Sequence, residues 1–153
     1  MQRAGDGMGG LGAGARPATH NDINAVCATV SAAFASDPAW SFIIGPGNEI
    51  GPGNEMARRA FARALLVPRI QRSTAWVIDD CTAVAMWDRL GSDAPGDEDH
   101  EGGWAAFRAE VGDEIWSRLQ AYDSALEAIA PARPFWYLGV LATHPAHQRR
   151  GLA

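Results

Sequence analysis

The residues best suited to chemistry stand together in HPAHQRRGLA, residues 144–153, directly after the apolar run FWYLGVLAT, residues 135–143. A strand, a short turn and a basic, glycine-containing segment that should open a helix make an anion site. The first backbone N–H groups of a helix have no intrahelical partner and lie at the positive end of its dipole. Gly151 lets the main chain approach a phosphate closely, and Arg149 and Arg150 add positive charge. Each charge-assisted bond contributes about 1.5–3 kcal/mol, so several together would hold a pyrophosphate. His144 and His147 form an H-x-x-H pair, but no carboxylate stands near them and His100 is the other candidate. A lone pair of imidazoles is a weak metal signal, so no metal is expected.

These residues need elements to position them. FWYLGVLAT reads as a central strand buried on both faces. Upstream, Trp104, Phe107, Val111, Ile115, Leu119, Tyr122, Leu126 and Ile129 step by three or four residues. The spacing predicts one long amphipathic helix, ended by Pro131 and Pro134. Trp104, Trp116 and Tyr122 could line a pocket, although aromatics beside such a stripe are more often core. TAWVIDDCTAVAMWDRLG reads as a hairpin with strands at 76–78 and 82–90 and a turn at Asp79 and Asp80. A helix is expected from Met56 to about Arg72, with Ala60, Phe61, Ala64 and Leu65 inward. Another carries Ile23, Val26, Cys27, Val30 and Phe34 after N-cap candidates Thr19, Asn21 and Asp22, and closes at Asp37-Pro38. The pattern is that of an α/β domain (α+β by some schemes).

Two segments invite a functional reading and have a plainer one. IGPGNEIGPGNE, residues 44–55, is a tandem copy of six residues without the Gly-Lys-Ser/Thr of a phosphate loop. It reads as a loop lengthened by duplication, since closure entropy grows slowly with length. GSDAPGDEDHE, residues 91–101, is acidic with no Lys or Arg. It reads as a solvated loop, with attraction of a cationic amine as the functional alternative.

The chain of 153 residues suits one core, with residues 1–15 as a flexible Gly/Ala-rich leader. A net charge of −5 argues against nucleic acid as a partner, and no apolar run is long enough for a membrane. Cys27 and Cys81 read as reduced packing residues, as expected of a cytoplasmic protein.

The segment Gln148-Arg149-Arg150-Gly151-Leu152-Ala153 resembles the Q/R-x-x-G-x-G/A motif of the GNAT superfamily of acetyl-CoA-dependent N-acetyltransferases. VLATHPAHQ is similar to that family's fourth strand and its turn, and RPAT…D…AF…DP to its opening strand–helix unit. The resemblance implies a GNAT-like mixed sheet flanked by helices over residues 16–153, as an incomplete domain whose C-terminal half is absent. By position, residues Gln148, Arg149, Arg150, Gly151, Leu152 and Ala153 would bind the coenzyme A pyrophosphate. Leu141, Ala142 and Thr143 would offer main-chain groups to the pantetheine arm, which lies along the sheet like an added strand. The implied reaction is attack of a primary amine, of a small molecule or peptide, on the thioester of acetyl-CoA. An amide near Leu141 would polarise the carbonyl. FWYLGVLAT lacks the carboxylate some members use as base, and the family's tyrosine acid lies beyond this motif, so catalytic residues stay unassigned. Little transfer by the chain alone is expected on this reading. A remnant with weak or no coenzyme A binding, or a small phosphate-contacting interaction module, stands as the alternative. An uncovered 135–143 strand also predicts aggregation or a homodimer.

Overall fold

The computed structural model describes residues 14–45, 52–91, 100–131 and 133–152. Its strands are β1 (Ala15–Pro17), β2 (Ala75–Ile78), β3 (Ala83–Leu90) and β4 (Phe135–Thr143). Its helices are α1 (Ile23–Ala33), α2 (Pro38–Ile44), α3 (Pro52–Gln71), α4 (His100–Val111) and α5 (Asp113–Ile129). The strands form one sheet in the order β1-β2-β3-β4. The architecture is thus mixed α/β, but the expected mixed sheet is corrected: every described pairing is antiparallel. No described helix is long and apolar enough to cross a membrane.

The sheet has one covered face. Ala75, Val77, Val84, Met86, Val140 and Ala142 are buried and fall in register across β2, β3 and β4. They meet α1 and α3, which pack side by side and bring Val26, Val30 and Leu66 into the same core. Period-two alternation sends Trp76 and Leu141 the other way, and the register shift at Gly139 turns Trp136 with them; they are 43%, 49% and 61% exposed. This corrects the expectation of a strand buried on both faces. Among the described residues β4 is an edge strand with one open face, because an apolar run reports side-chain preference and not which neighbours arrive.

Two helix boundaries differ from the periodicity. The stripe from Trp104 to Ile129 is carried by α4 and α5, broken at Gly112 with φ +83°, a left-handed conformation that glycine tolerates. Helix α1 ends at Ala33, ahead of the expected stop, and Asp37-Pro38 starts α2. The Asp37 carboxylate accepts from the Trp40 amide at 2.9 Å, and Pro38 occupies the first turn of α2, where its missing N–H costs nothing. Helix α3 begins at Pro52, inside the tandem repeat, whose residues 46–51 lie outside the described residues. The acidic segment likewise lies outside them at residues 92–99, and so does the expected leader except for Gly14 and Ala15, the latter paired with Ile78.

Polar clasps fix the edges. Asp22 accepts from Arg16 Nη1 and Nη2 at 2.7 Å and from the Thr19 amide and hydroxyl at 2.8 Å. Hydrogen bonding to Arg16, opposed by burial, holds the Asp22 carboxyl far below the usual carboxylate range. Arg118 of α5 donates to the carbonyls of Ile43 at 2.8 Å and Ile44 at 3.2 Å, satisfying groups that α2 leaves unpaired at its C-terminus. At the far end of the hairpin, Gly91 has φ +111°, and a Cβ there would lie 2.6 Å from Pro134 Cα. Gly91→Ala is therefore expected to cost about 1–3 kcal/mol, read as a lowered urea midpoint. An unchanged midpoint would mean that the 91 and 134 segments separate freely.

Candidate functional site

The basic turn grows out of β4. The His144 amide donates to the Thr82 carbonyl at 2.9 Å, and His144 Nδ1 accepts from the Ala146 amide at 3.3 Å, opening a 3-10 turn at Pro145–His147. Gln148 Nε2 returns to the Thr143 carbonyl at 3.2 Å. Arg149 at φ +63° and Gly151 at φ +70° then adopt left-handed backbone, so successive amides change direction. Residues 148–151 form turn and bend, and the helix expected after them lies outside the described residues. Arg149, Arg150 and Gly151 are exposed, Leu152 is half-buried, and Ala153 lies outside the described residues. The imidazoles of His144 and His147 stand 6.0 Å apart edge to face. Among the described residues no group of three or more His, Cys, Asp or Glu could hold a metal ion.

Leu141, Ala142 and Thr143 sit where β4 meets this turn, with Leu141 exposed, Ala142 buried and Thr143 half-buried. One edge of β4 pairs with β3; its other edge pairs with no described strand. Met86 faces Val140 and Trp87 faces Leu138, so Gly139 is passed over as a bulge. From Gly139 to Thr143 the strand rises about 14 Å at ~3.4 Å per residue.

Sequence reasoning did not find the groove into which this bulge faces. It has a volume of about 780 Å³. Leu119, Tyr122, Asp123 and Glu127 of α5 form one wall, and Phe61, Leu65 and Arg69 of α3 another. Asp88, Tyr137, Gly139 and Val140 contribute the floor, and Trp40 and Trp104 line it too. Of the three aromatics weighed from sequence, Trp104 and Tyr122 line the groove. Trp116 instead packs on Trp104, with ring centroids 6.3 Å apart. The Trp40, Phe61 and Trp104 rings pack in series in tilted contacts, with centroids 4.7 and 6.1 Å apart, giving that end an apolar wall.

The floor holds a buried ion pair. Arg69 donates to the Asp88 carboxylate and to the Leu65 carbonyl, and the two charged side chains are 6% and 13% exposed. The Arg69 Nε–H has no hydrogen-bond partner among the described residues. A Cβ placed on Gly139 would lie 3.5 Å from Arg69 Nη2 and 3.6 Å from Asp88 Oδ2. The pair therefore lies directly under the bulge. A signal for Arg69 was present: it follows Phe61 and Leu65 at helical spacing, so a cation interrupts the buried stripe of α3.

Asp123 is exposed on α5, yet partial desolvation where it borders the groove, reinforced by the Glu127 charge, pushes its carboxyl up to about 6, and burial raises the Tyr122 phenol with lesser help from Tyr137. A carboxyl whose folded value exceeds its unfolded value of about 3.9 destabilises the fold as pH rises from about 4 through 6. Asp123→Asn is therefore expected to raise the urea midpoint at pH 8 and leave it unchanged near pH 3.5. The same gain at both pH values would assign the effect to packing. The thiols of Cys27 and Cys81 are buried and free, as read from the sequence, and burial first of all pushes both up to about 11. Neither supplies a thiolate nucleophile at neutral pH.

A scan against models of known protein families finds no match for this chain.

Proposed function

We propose that this chain is an acyltransferase of the GNAT type, moving an acetyl group from acetyl-CoA to a primary amine. One observation carries the reading. A strand whose outer edge pairs with no described strand, with a bulge at Gly139, joins an open groove to a basic turn with left-handed residues at 149 and 151. A pantetheine arm fits such an edge, because an extended chain of amides pairs with unpaired strand groups as an added strand does. Main-chain groups of Leu141, Ala142 and Thr143 would hold that arm. The amides of Gln148, Arg149, Arg150, Gly151 and Leu152, followed by Ala153, would hold the pyrophosphate, with both guanidiniums adding charge.

The donor supplies an activated thioester carbonyl. With the pyrophosphate at the turn, the arm running back along β4 brings that carbonyl toward the bulge. A bulge leaves its backbone amide without a ladder partner, so the Gly139–Leu141 stretch is suited to polarise the carbonyl oxygen as charge develops there. The groove in front of Gly139 and Val140 would take the amine. Tyr122, Tyr137 and Trp104 would give its body an apolar lining that disfavours the ammonium form. The amine loses a proton to solvent, its nitrogen bonds the thioester carbon, and the carbon–sulfur bond breaks to release coenzyme A as a thiolate that is protonated from solvent. A cytoplasmic setting suits both the donor and two free, buried cysteines.

Calorimetry with coenzyme A tests the reading. Micromolar binding is expected. Absence of heat at millimolar coenzyme A, with the chain folded by circular dichroism, would sink it. Binding that a large excess of inorganic pyrophosphate leaves untouched would move the anchor away from residues 148–153.

A further inference from the structure

The apolar stripe of α5 is only partly used by the fold. Leu119, Tyr122, Leu126 and Ile129 line the groove at successive turns of the helix. Leu119 is 3% exposed, Tyr122 and Leu126 are half-buried, and Ile129 is 79% exposed. At 1.5 Å per residue these side chains mark a track about 15 Å long, running from the core toward water. Leu90 and Phe135, paired at the end of the β3–β4 ladder, line the same groove. Its volume of about 780 Å³ lies within the range of about 300–1,000 Å³ usual for small-molecule sites.

The charges of the groove balance. Arg69, Arg72 and Arg89 stand on its lining with Asp88, Asp123 and Glu127. Arg69 and Asp88 neutralise each other on the floor, and Arg72 is engaged in interactions of its own. Arg89, Asp123 and Glu127 are exposed, so water already serves them. A charge on the body of a ligand would leave water here without gaining an unpaired partner, whereas a neutral apolar body gives up nothing. Residues 92–99, SDAPGDED, follow the lining residue Gly91 and offer no large apolar side chain to cover the stripe. A separate apolar molecule fits it better. The groove also reaches Gly139 and Val140, the stretch assigned above to the thioester.

We infer that the groove takes an amine with an elongated, neutral, apolar body, its nitrogen toward Gly139 and its chain along Leu119, Tyr122 and Leu126 toward Ile129. Acceptors with several ammonium groups are thereby disfavoured. The inference rests on the acyltransferase reading for the amine and its direction; the preference for a neutral apolar body does not need it.

The test titrates hexylamine, octylamine, decylamine, 1-octanol and 1,8-diaminooctane into the full chain by calorimetry at physiological salt. Each added CH₂ is expected to tighten binding about two- to fourfold. The diamine should bind about tenfold more weakly than octylamine, and 1-octanol within about threefold of it. Leu126→Gln puts a polar group on the half-buried middle of the stripe. It should weaken decylamine about three- to tenfold and leave hexylamine within about twofold. Affinities that do not change with chain length overturn the inference. So does a diamine that binds as tightly as octylamine, or no binding of any probe to the folded chain. A chain-length dependence that survives Leu126→Gln puts the site elsewhere and overturns it as well. Coenzyme A titrated separately keeps the two ideas apart. Chain-length dependence without coenzyme A binding removes the acyltransferase reading alone, and coenzyme A binding without that dependence removes this inference alone.

Discussion

Arg69→Ala is expected to lower the stability of the fold by about 3–5 kcal/mol, the largest loss from any single substitution considered for this chain. The magnitude follows from what stays behind. Asp88, 13% exposed, loses the guanidinium that neutralises it, and the low-dielectric surroundings that made the pair strong make a lone carboxylate costly. The Leu65 carbonyl loses a donor at the same time. Truncation also opens a space beneath Gly139, where no side chain exists to fill it. Replacing both partners separates these contributions. Arg69→Met/Asp88→Asn keeps most of the volume and leaves no buried charge, so it is expected to recover at least half of the loss. Urea unfolding followed by circular dichroism reads all three proteins. If Arg69→Ala costs under about 1 kcal/mol, Asp88 reaches water, and the pair is not what supports the bulge.

How far such a pair can be read from sequence depends on distance along the chain. The β2–β3 hairpin is written locally in TAWVIDDCTAVAMWDRLG, and its strands form within a residue of the expected bounds. Helix α1 likewise follows from Ile23, Val26, Cys27 and Val30, all of which are buried. Local signals with two meanings were less legible. Asp37-Pro38 is as good a start as a stop, and the apolar spacing passes through Gly112 without registering the left-handed residue that divides α4 from α5. The groove was not legible at all. Its walls come from α3, α5 and β4, and nothing local says that Asp88 meets a residue 19 positions earlier or that Asp123 and Tyr137 line one cavity. The basic turn was legible as residue types. Its backbone was not, since a left-handed Arg149 is rare enough that no pattern anticipates it.

Gly151→Glu should weaken coenzyme A binding by about one hundredfold, and the reason can be isolated at this position. Gly151 is exposed and a Cβ there meets nothing within 4 Å, so added bulk by itself displaces no part of the protein. Two costs remain. Any L-residue at φ +70° gives up about 1 kcal/mol relative to glycine, and Ala pays only this, for about a fivefold loss. Glu adds a carboxylate beside the bound pyrophosphate. Two unit charges about 5 Å apart repel by roughly 3 kcal/mol at an effective dielectric of 20, and screening by salt reduces this. Gly151→Lys carries the same backbone cost with attraction in its place, so it should bind more tightly than the Ala variant. The expected order is Gly, Lys, Ala, Glu, with the Glu defect shrinking as salt rises from 0.05 to 0.5 M. Equal affinities for Ala, Lys and Glu would show that no phosphate sits at this turn, and would leave the free edge of β4 without its anchor.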